Sequence, residues 1–511
     1  MPVAPPTDLH RRGFLALALA AGVAPGLVAC AHRRSWRSDP FALGVASGCP
    51  RPGSVVLWTR IAPAAEPAAR ESVSWEIAAD EGFRSVVRAG VESAGADSAH
   101  SVHAEATGLE PSRWYWYRFA AGGARSVVGR TRTAPAAGRE EALSFAIASC
   151  QRYDDGHYAA WRHMADEAPD LVVFLGDYIY ESAPRRNRVR THSGTGAAKT
   201  LADYRARYEQ YKADANLQRI HAAAPWIFTW DDHEVQNDYA GDRGQDLSPA
   251  FLQRRAAAYR AWWEHMPLPA SMRPADADLR VYDRYDWGRL ARFHVLDDRQ
   301  YRDYHACPPP GRAGSTTVDA ADCPELLVAG RTILGRDQER WLADGLARRD
   351  VRWNLIAQQT LMAPFTWTRE GRYWTDGWAG YPGARDRLLD TIVERAAVNP
   401  VVLSGDVHCN YVCDLKRGVD DPPDRVIATE FCGTSISSGG LPQERVAAAL
   451  PLNPHIRYGR ADERGYVALR VGASRVDARL RVVSDVLDPD ATIRTAAAFS
   501  VEDGKPGAQR I

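Results

Sequence analysis

The sequence predicts an α/β (α+β layered) domain preceded by a small β-sandwich domain. Three observations carry that prediction. Residues 41–135 read as all-β, with apolar residues alternating along the runs. From residue 140 onward, short apolar strands alternate with stretches of helical periodicity. Nearly every one of those later strands runs directly into an acidic, amide or thiol side chain.

In chain order, residues 1–30 read as an address. Arg11-Arg12-Gly13-Phe14-Leu15 is a twin-arginine pair, followed by a weakly apolar run from Leu15 to Ala29. The run is too short and too rich in Ala and Gly to span a bilayer, but it suits an export signal read by the twin-arginine machinery. Leu27-Val28-Ala29-Cys30 resembles a lipobox, with Cys30 as lipid acceptor, and simple cleavage nearby is the alternative. The mature chain is therefore expected to be periplasmic or extracellular, with a lipid anchor if Cys30 is acylated. In the β-rich region, Ser54–Arg60 is a strand, Val73, Trp75 and Ile77 alternate along the next, and Trp114–Phe119 is a third. Thr131–Arg139, with Pro135, reads as the linker, and residues 140–511 form the larger domain.

The strands of that domain are Leu143–Ser149, Leu171–Leu175, Trp226–Trp230, Arg292–Leu296, Trp353–Ala357 and Val401–Ser404. A long helix is predicted from a Ser248-Pro249 cap to about Met266, and another over Arg385–Val398. The strand exits are Cys150, Gly176-Asp177-Tyr178-Ile179-Tyr180, Asp231-Asp232-His233-Glu234, Asp297-Asp298-Arg299, Gln358-Gln359 and Gly405-Asp406-Val407-His408. Ligands bind at the carboxyl ends of strands in open α/β sheets. One Asp after a strand is ordinarily a cap or turn residue, but five or six from separate segments exceed what capping explains. Buried together without a cation, so many carboxylates would repel and take up protons, so a dinuclear metal centre is expected.

Composition sets outer bounds. The 64 basic residues cancel the 64 acidic ones, which gives no reason to expect a nucleic-acid or anionic-membrane partner. With 45% hydrophobic residues and no internal run of 18 apolar ones, the chain reads as globular and not polytopic. Eight cysteines in an exported chain invite pairing. Cys307 and Cys323 flank a Pro/Gly-rich loop and suggest one disulfide; Cys409, Cys413 and Cys432 could supply another. Cys49 and Cys150 are the candidates for a free or ligating thiol.

Gly176-Asp177-x-x-Tyr180, Asp231-Asp232-His233-Glu234 and Gly405-Asp406-Val407-His408, in that order, resemble the calcineurin-like metallophosphoesterase pattern. More closely they resemble the PhoD-type alkaline phosphatases and phosphodiesterases. The likeness extends to Gly44–Gly48, Leu57–Arg60, Ala148–Gln151, Leu296–Arg302 and Glu430–Ser435. It implies a metallophosphoesterase sandwich holding Fe(III) and Ca. Asp177 would bridge two ions, Tyr180 would bind iron as phenolate, and His408 would complete that site. Cys150 stands where the wider superfamily has an early Asp. The second site would be oxygen-rich, from Asp177, Asp406 and either Asp232 or Asn237. Asp406 replaces the first His of the usual Gly-His-x-His, which shifts preference toward Ca.

Each residue also has a plainer reading: Tyr180 as a rim aromatic, Cys150 as an inert thiol, Asn237 as a turn residue. His233 is either a structural histidine or a catalytic leaving-group acid, and Arg299 either a buried ion-pair partner or a substrate phosphate clamp. The function implied is an exported metal-dependent alkaline phosphatase/phosphodiesterase, in which a metal-activated hydroxide attacks a small or polymeric phosphate mono- or diester. The first rival is a phospholipase D-type phosphodiesterase acting on lipid headgroups or teichoic-acid-like polymers. The rival from another class is a non-catalytic metal- or phosphate-binding surface protein.

Overall fold

A computed structural model describes residues 36, 38–62, 70–185, 188–418, 422 and 425–511. The twin-arginine pair and Cys30 lie outside the described residues. Two large mixed sheets stack face to face. The first runs, edge to edge, through 505–510, 493–502, 475–483, 465–471, 143–148, 171–174, 225–228, 45–51, 54–60 and 101–107. The second runs through 283–287, 291–295, 353–357, 400–404, 428–432, 410–415 and 456–460. At their centres the strands are parallel: Leu143–Ala148, Leu171–Phe174 and Pro225–Phe228 in one, and Ala291–Val295, Trp353–Ala357, Pro400–Ser404 and Ala428–Cys432 in the other.

These central strands are buried at nearly every position because both faces are covered. In the second sheet Leu355, Leu403 and Phe431 point inward to the core shared with Phe145 and Val467. Ile356, Val402 and Cys432 point outward, toward helices Gly335–Leu346 and Pro382–Glu394. Phe145 meets Phe293 edge-on across the layers, ring centroids 5.2 Å apart. On the outer face of the first sheet Trp161, from helix Ala159–Asp166, packs on Trp226 at 5.3 Å.

The β-rich region differs from an independent sandwich. Strands Arg70–Ala78, Val86–Gly95, Trp114–Ala121, Ala124–Arg125 and Gly129–Arg132 make one sheet. The opposing strands, Val45–Arg51, Ser54–Arg60 and Ser101–Thr107, belong to the ten-stranded sheet, where Ser47 pairs in parallel with Pro225. Strand Val45–Arg51 is buried over nearly its whole length and uses both of its edges, so no sheet boundary falls there.

Two helix boundaries also shift. The first helix runs Phe251–His265, because Ser248-Pro249-Ala250 forms a turn closed by Phe251 N–H on the Ser248 carbonyl (3.1 Å). The second starts earlier, at Pro382, and ends at Glu394, since Ala396 takes a left-handed φ of 48° that the helix cannot continue through. The C-terminal strands and strand Asn410–Leu415 were not placed from the sequence, although Arg475–Val483 alternates buried and more exposed residues over most of its length.

Candidate metal centre

The parallel strands carry their carboxyl ends to one rim, where Cys150, Asp177, Asp231, Asp232, Asp406 and His408 meet. The loops come close: a Cβ on Gly176, whose φ is +111°, would run into Asp231, and one on Gly405 would run into Ser149. Cys150 (φ 59°), Asp177 (59°), Asp406 (62°) and His408 (54°) all sit in the left-handed region. Such conformations cost about 1–3 kcal/mol each for non-glycine residues and collect at functional sites. Glu234 ties two loops by accepting from the N–H groups of Asp177 (3.0 Å), Tyr178 (2.6 Å) and Asp231 (2.9 Å).

Two clusters share Asp177. In the first, ligand atoms of Cys150, Asp177 and His408 lie within 4.8 Å of one another. The Tyr180 hydroxyl joins them, donating to Asp177 Oδ2 (2.8 Å), 3.2 Å from His408 Nε2, and accepting from Ser438 Oγ (2.7 Å). His408 Nδ1 is bonded to the Gly439 carbonyl at 2.6 Å, which leaves Nε2 facing the cluster as an acceptor. Burial, reinforced by Asp177 and Asp406, pushes the Cys150 thiol well up. Burial and Asp177 do the same to Tyr180, while burial brings His408 down to about 3. Unliganded, this cluster holds protons that a cation must displace.

The second cluster is carboxylate apart from His233. Asp177, Asp231 and Asp406 group within 4.8 Å, as do Asp177, Asp232 and His233, and further along Asp232, Asp238 and Asp376. Burial raises Asp406 to about 8, with Asp376, Asp232 and Asp177 adding to the effect and Arg299 opposing it. Burial likewise pushes Asp177 and Asp231 well up. One oxygen of each of Asp231, Asp232, Asp376 and Asp406 is buried without a hydrogen-bond partner. Orphaned buried acceptors are costly, and hard oxygen donors grouped in this way fit a hard cation.

The remaining expected residues find the following places. Arg299 is fully buried, ion-paired with Asp231 and with Asp376 (2.7 Å), and 3.8 Å from Asp406 Oδ2. Its position corresponds to the ion-pair reading and not to a clamp on the cleft wall. Arg302 adds a second bond to Asp376 (2.8 Å). His233 lines the cleft, its Nδ1 held by Glu181 (2.7 Å). Burial alone would lower its pKa, but Glu181, Asp232 and Asp177 raise it well above the ordinary value. Asn237 lines the same cleft, its N–H donated to Glu181 (2.9 Å).

Cys307 and Cys323 form a disulfide. Cys409, Cys413 and Cys432 are free, buried thiols, which corrects the second bridge: they sit in the strand layer packed beneath helices, not facing one another across a loop. The sequence reading missed Glu181 and Asp376, and it included Glu234 in the Asp231–Glu234 motif without giving it a role. Glu181 adjoins Tyr180 and could have been noticed; Asp376 lies in a long irregular segment that gives no pattern.

The centre opens into a cleft of about 450 Å³ lined by Asp177, Asp232, His233, Asn237, Asp406 and His408 among others. The PhoD-like phosphatase family matches residues 145–480, and the N-terminal domain of PhoD-like phosphatases matches residues 27–135. Alkaline phosphatase D of Bacillus subtilis (strain 168) is 43% identical over 496 residues, covering 93% of this chain and 83% of that protein. The solved structure of PhoD is similar with a TM-score of 0.87 and 42% identity, over 93% of each chain. A purple acid phosphatase from yellow lupin (Lupinus luteus) seeds shares the fold alone, at a TM-score of 0.59 and 13% identity over 90% of this chain and 74% of that one.

Proposed function

The chain belongs to the PhoD-like phosphatase family, and from that premise we propose that the cleft hydrolyses phosphoric esters with the residues assembled around Asp177. It is a metal-dependent phosphoester hydrolase. The observation that carries the reading is the set of orphaned, buried carboxylate oxygens around an Asp that both clusters share. Cys150, Asp177, Tyr180 and His408 would hold Fe(III). Asp177, Asp406 and Asp232, with Asn237 at the rim, would hold Ca. Ions held by these residues would supply water activation and charge compensation at the phosphoryl oxygens.

The chain's own residues do the rest. Arg299 and Arg302 offset the carboxylate charge from behind, so the loops can close on one another. His233, held by Glu181 and favouring the protonated form, is placed to give a proton to a leaving oxygen. The test is turnover of 4-nitrophenyl phosphate and bis(4-nitrophenyl) phosphate by protein reconstituted with Fe(III) and Ca, beside elemental analysis. No turnover of either ester at full metal content would falsify the reading.

We also propose that residues 1–30 direct export through the twin-arginine route, with Cys30 as a lipid acceptor, on the strength of the Arg11-Arg12 pair and the Leu27–Cys30 run. Among the described residues no helix is long and apolar enough to cross a membrane. Arg11→Lys with Arg12→Lys should trap the precursor in the cytoplasm; normal export of that double variant removes the assignment.

A further inference from the structure

One wall of the cleft has a character that phosphoryl chemistry does not require. Leu361, Ala363, Phe365 and Trp367 line it, with Trp374 and Leu441 completing the apolar surface, and all share the cleft with Asp406 and His408. The rings of Phe365 and Trp367 lie 4.7 Å apart at 60°, and Phe365 also meets Tyr411 at 5.5 Å. The Arg445 guanidinium stands 4.4 Å from the centre of the Trp367 ring.

This wall is built in advance, because side chains from behind hold its backbone. Glu430 accepts from the N–H groups of Met362 and Ala363 (2.8 Å each), and His455 Nε2 bonds the Pro364 carbonyl (2.8 Å). Asn453 pairs with both the N–H and the carbonyl of Thr366 (2.9 Å each), and Trp367 N–H donates to the Arg372 carbonyl (3.0 Å). On the far side of His233 and Asn237 the adjoining pocket is lined by Arg152, Arg185, Lys199 and Arg254 together with Glu181 and Asp246, and Arg152 and Arg185 are ion-paired with Asp154. A ligand whose phosphoryl group sits at the acidic centre thus meets an aromatic wall on one side and a charged, mixed pocket on the other.

We propose that the Leu361–Trp367 wall is a specificity subsite for an apolar, planar substituent esterified to the phosphoryl group. The inference rests on the hydrolase reading above. Binding sites combine apolar lining with a few converging polar groups, and the apolar part selects the substrate's carbon skeleton. A phosphate or a small polyol phosphate would leave the exposed parts of Trp367 and Leu441 in water. Leu441 is 37% exposed as it stands, so covering it adds apolar burial that only a hydrophobic substituent supplies. The fixed backbone means that little ordering opposes that gain.

The test uses metal-loaded full-length protein and competitive inhibition of bis(4-nitrophenyl) phosphate hydrolysis by methylphosphonate and phenylphosphonate. These carry the same charged head and a single substituent each, and neither offers an ester bond to cleave. Phenylphosphonate should inhibit at least about tenfold more tightly. Trp367→Ala should bring the ratio below about threefold, and Trp367→Phe should keep most of it. Leu441→Ser, on the opposite side of the wall, gives the same readout should Trp367→Ala fail to fold. Equal inhibition by the two phosphonates in the parent protein, or an unchanged ratio in both Trp367→Ala and Leu441→Ser, overturns the subsite while ester hydrolysis stands. Absence of any ester hydrolysis removes both.

Discussion

The two halves of the metal centre meet at Asp177 but are built on opposite principles. The Cys150–Tyr180–His408 half offers sulfur, phenol and imidazole, groups that in the bare protein are neutral, because burial holds the thiol and phenol protonated and the imidazole unprotonated. The Asp231–Asp232–Asp406 half offers only carboxylates, and it is tolerable because Arg299 and Arg302 stand behind it. Burial makes both halves hold protons that a cation must displace, but only the carboxylate half has a guanidinium paired with it from behind. The lesson is that the two halves present different donor chemistry, soft and aromatic on one side and hard and charge-compensated on the other.

That contrast can be broken most severely at its hinge. Asp177→Asn, which disables both halves, should lower kcat by more than about four orders of magnitude, with both metals lost on elemental analysis. Asp406→Asn touches the carboxylate half alone: kcat should fall by about three orders, Ca content should drop, and iron should stay. Retention of near-parental turnover at unchanged metal content would remove Asp406 as a ligand. Cys150→Ser addresses the other half, where iron binding should weaken by about 10–100-fold and the visible phenolate-to-iron band should move. Cys150→Asp should recover more iron than Ser does, since it restores the negative charge; equal recovery contradicts a thiolate ligand. The smallest effect is expected behind the ions. Glu181→Gln should cost about tenfold in kcat through His233, with metal content unaltered.

How much of this was legible in the sequence varies by residue. Strands such as Leu171–Phe174 were readable because a continuous apolar run bounded by polar residues means a doubly covered strand. The ligand loops were readable because each follows such a strand at once. Arg299 left two readings open in the sequence, and only its three carboxylate neighbours, drawn from distant segments, separate them. Asp376 and the aromatic wall were invisible for a related reason. They lie on long irregular segments whose conformation is set by partners such as Glu430 and Asn453, not by any local period. That the β-rich region shares a sheet with the larger domain was not legible, because strand Val45–Arg51 looks the same whether its second edge is free or joined to Pro225–Phe228.

That joined edge governs how the chain can fold. The central strand Leu143–Ala148 is flanked on one side by Leu171–Phe174 and on the other by Gly465–Val471, with Ala146 opposite Ala468. Ser47 meanwhile waits for Pro225. During synthesis the N-terminal strands emerge with one edge unsatisfied, and the sheet's centre cannot close until nearly the whole chain has left the ribosome. Pairings so distant in sequence make for slow folding, with exposed strand edges in the interval. Removal of residues 465–511 should therefore leave no folded remnant of the larger domain, whereas a smaller, locally paired protein would keep one.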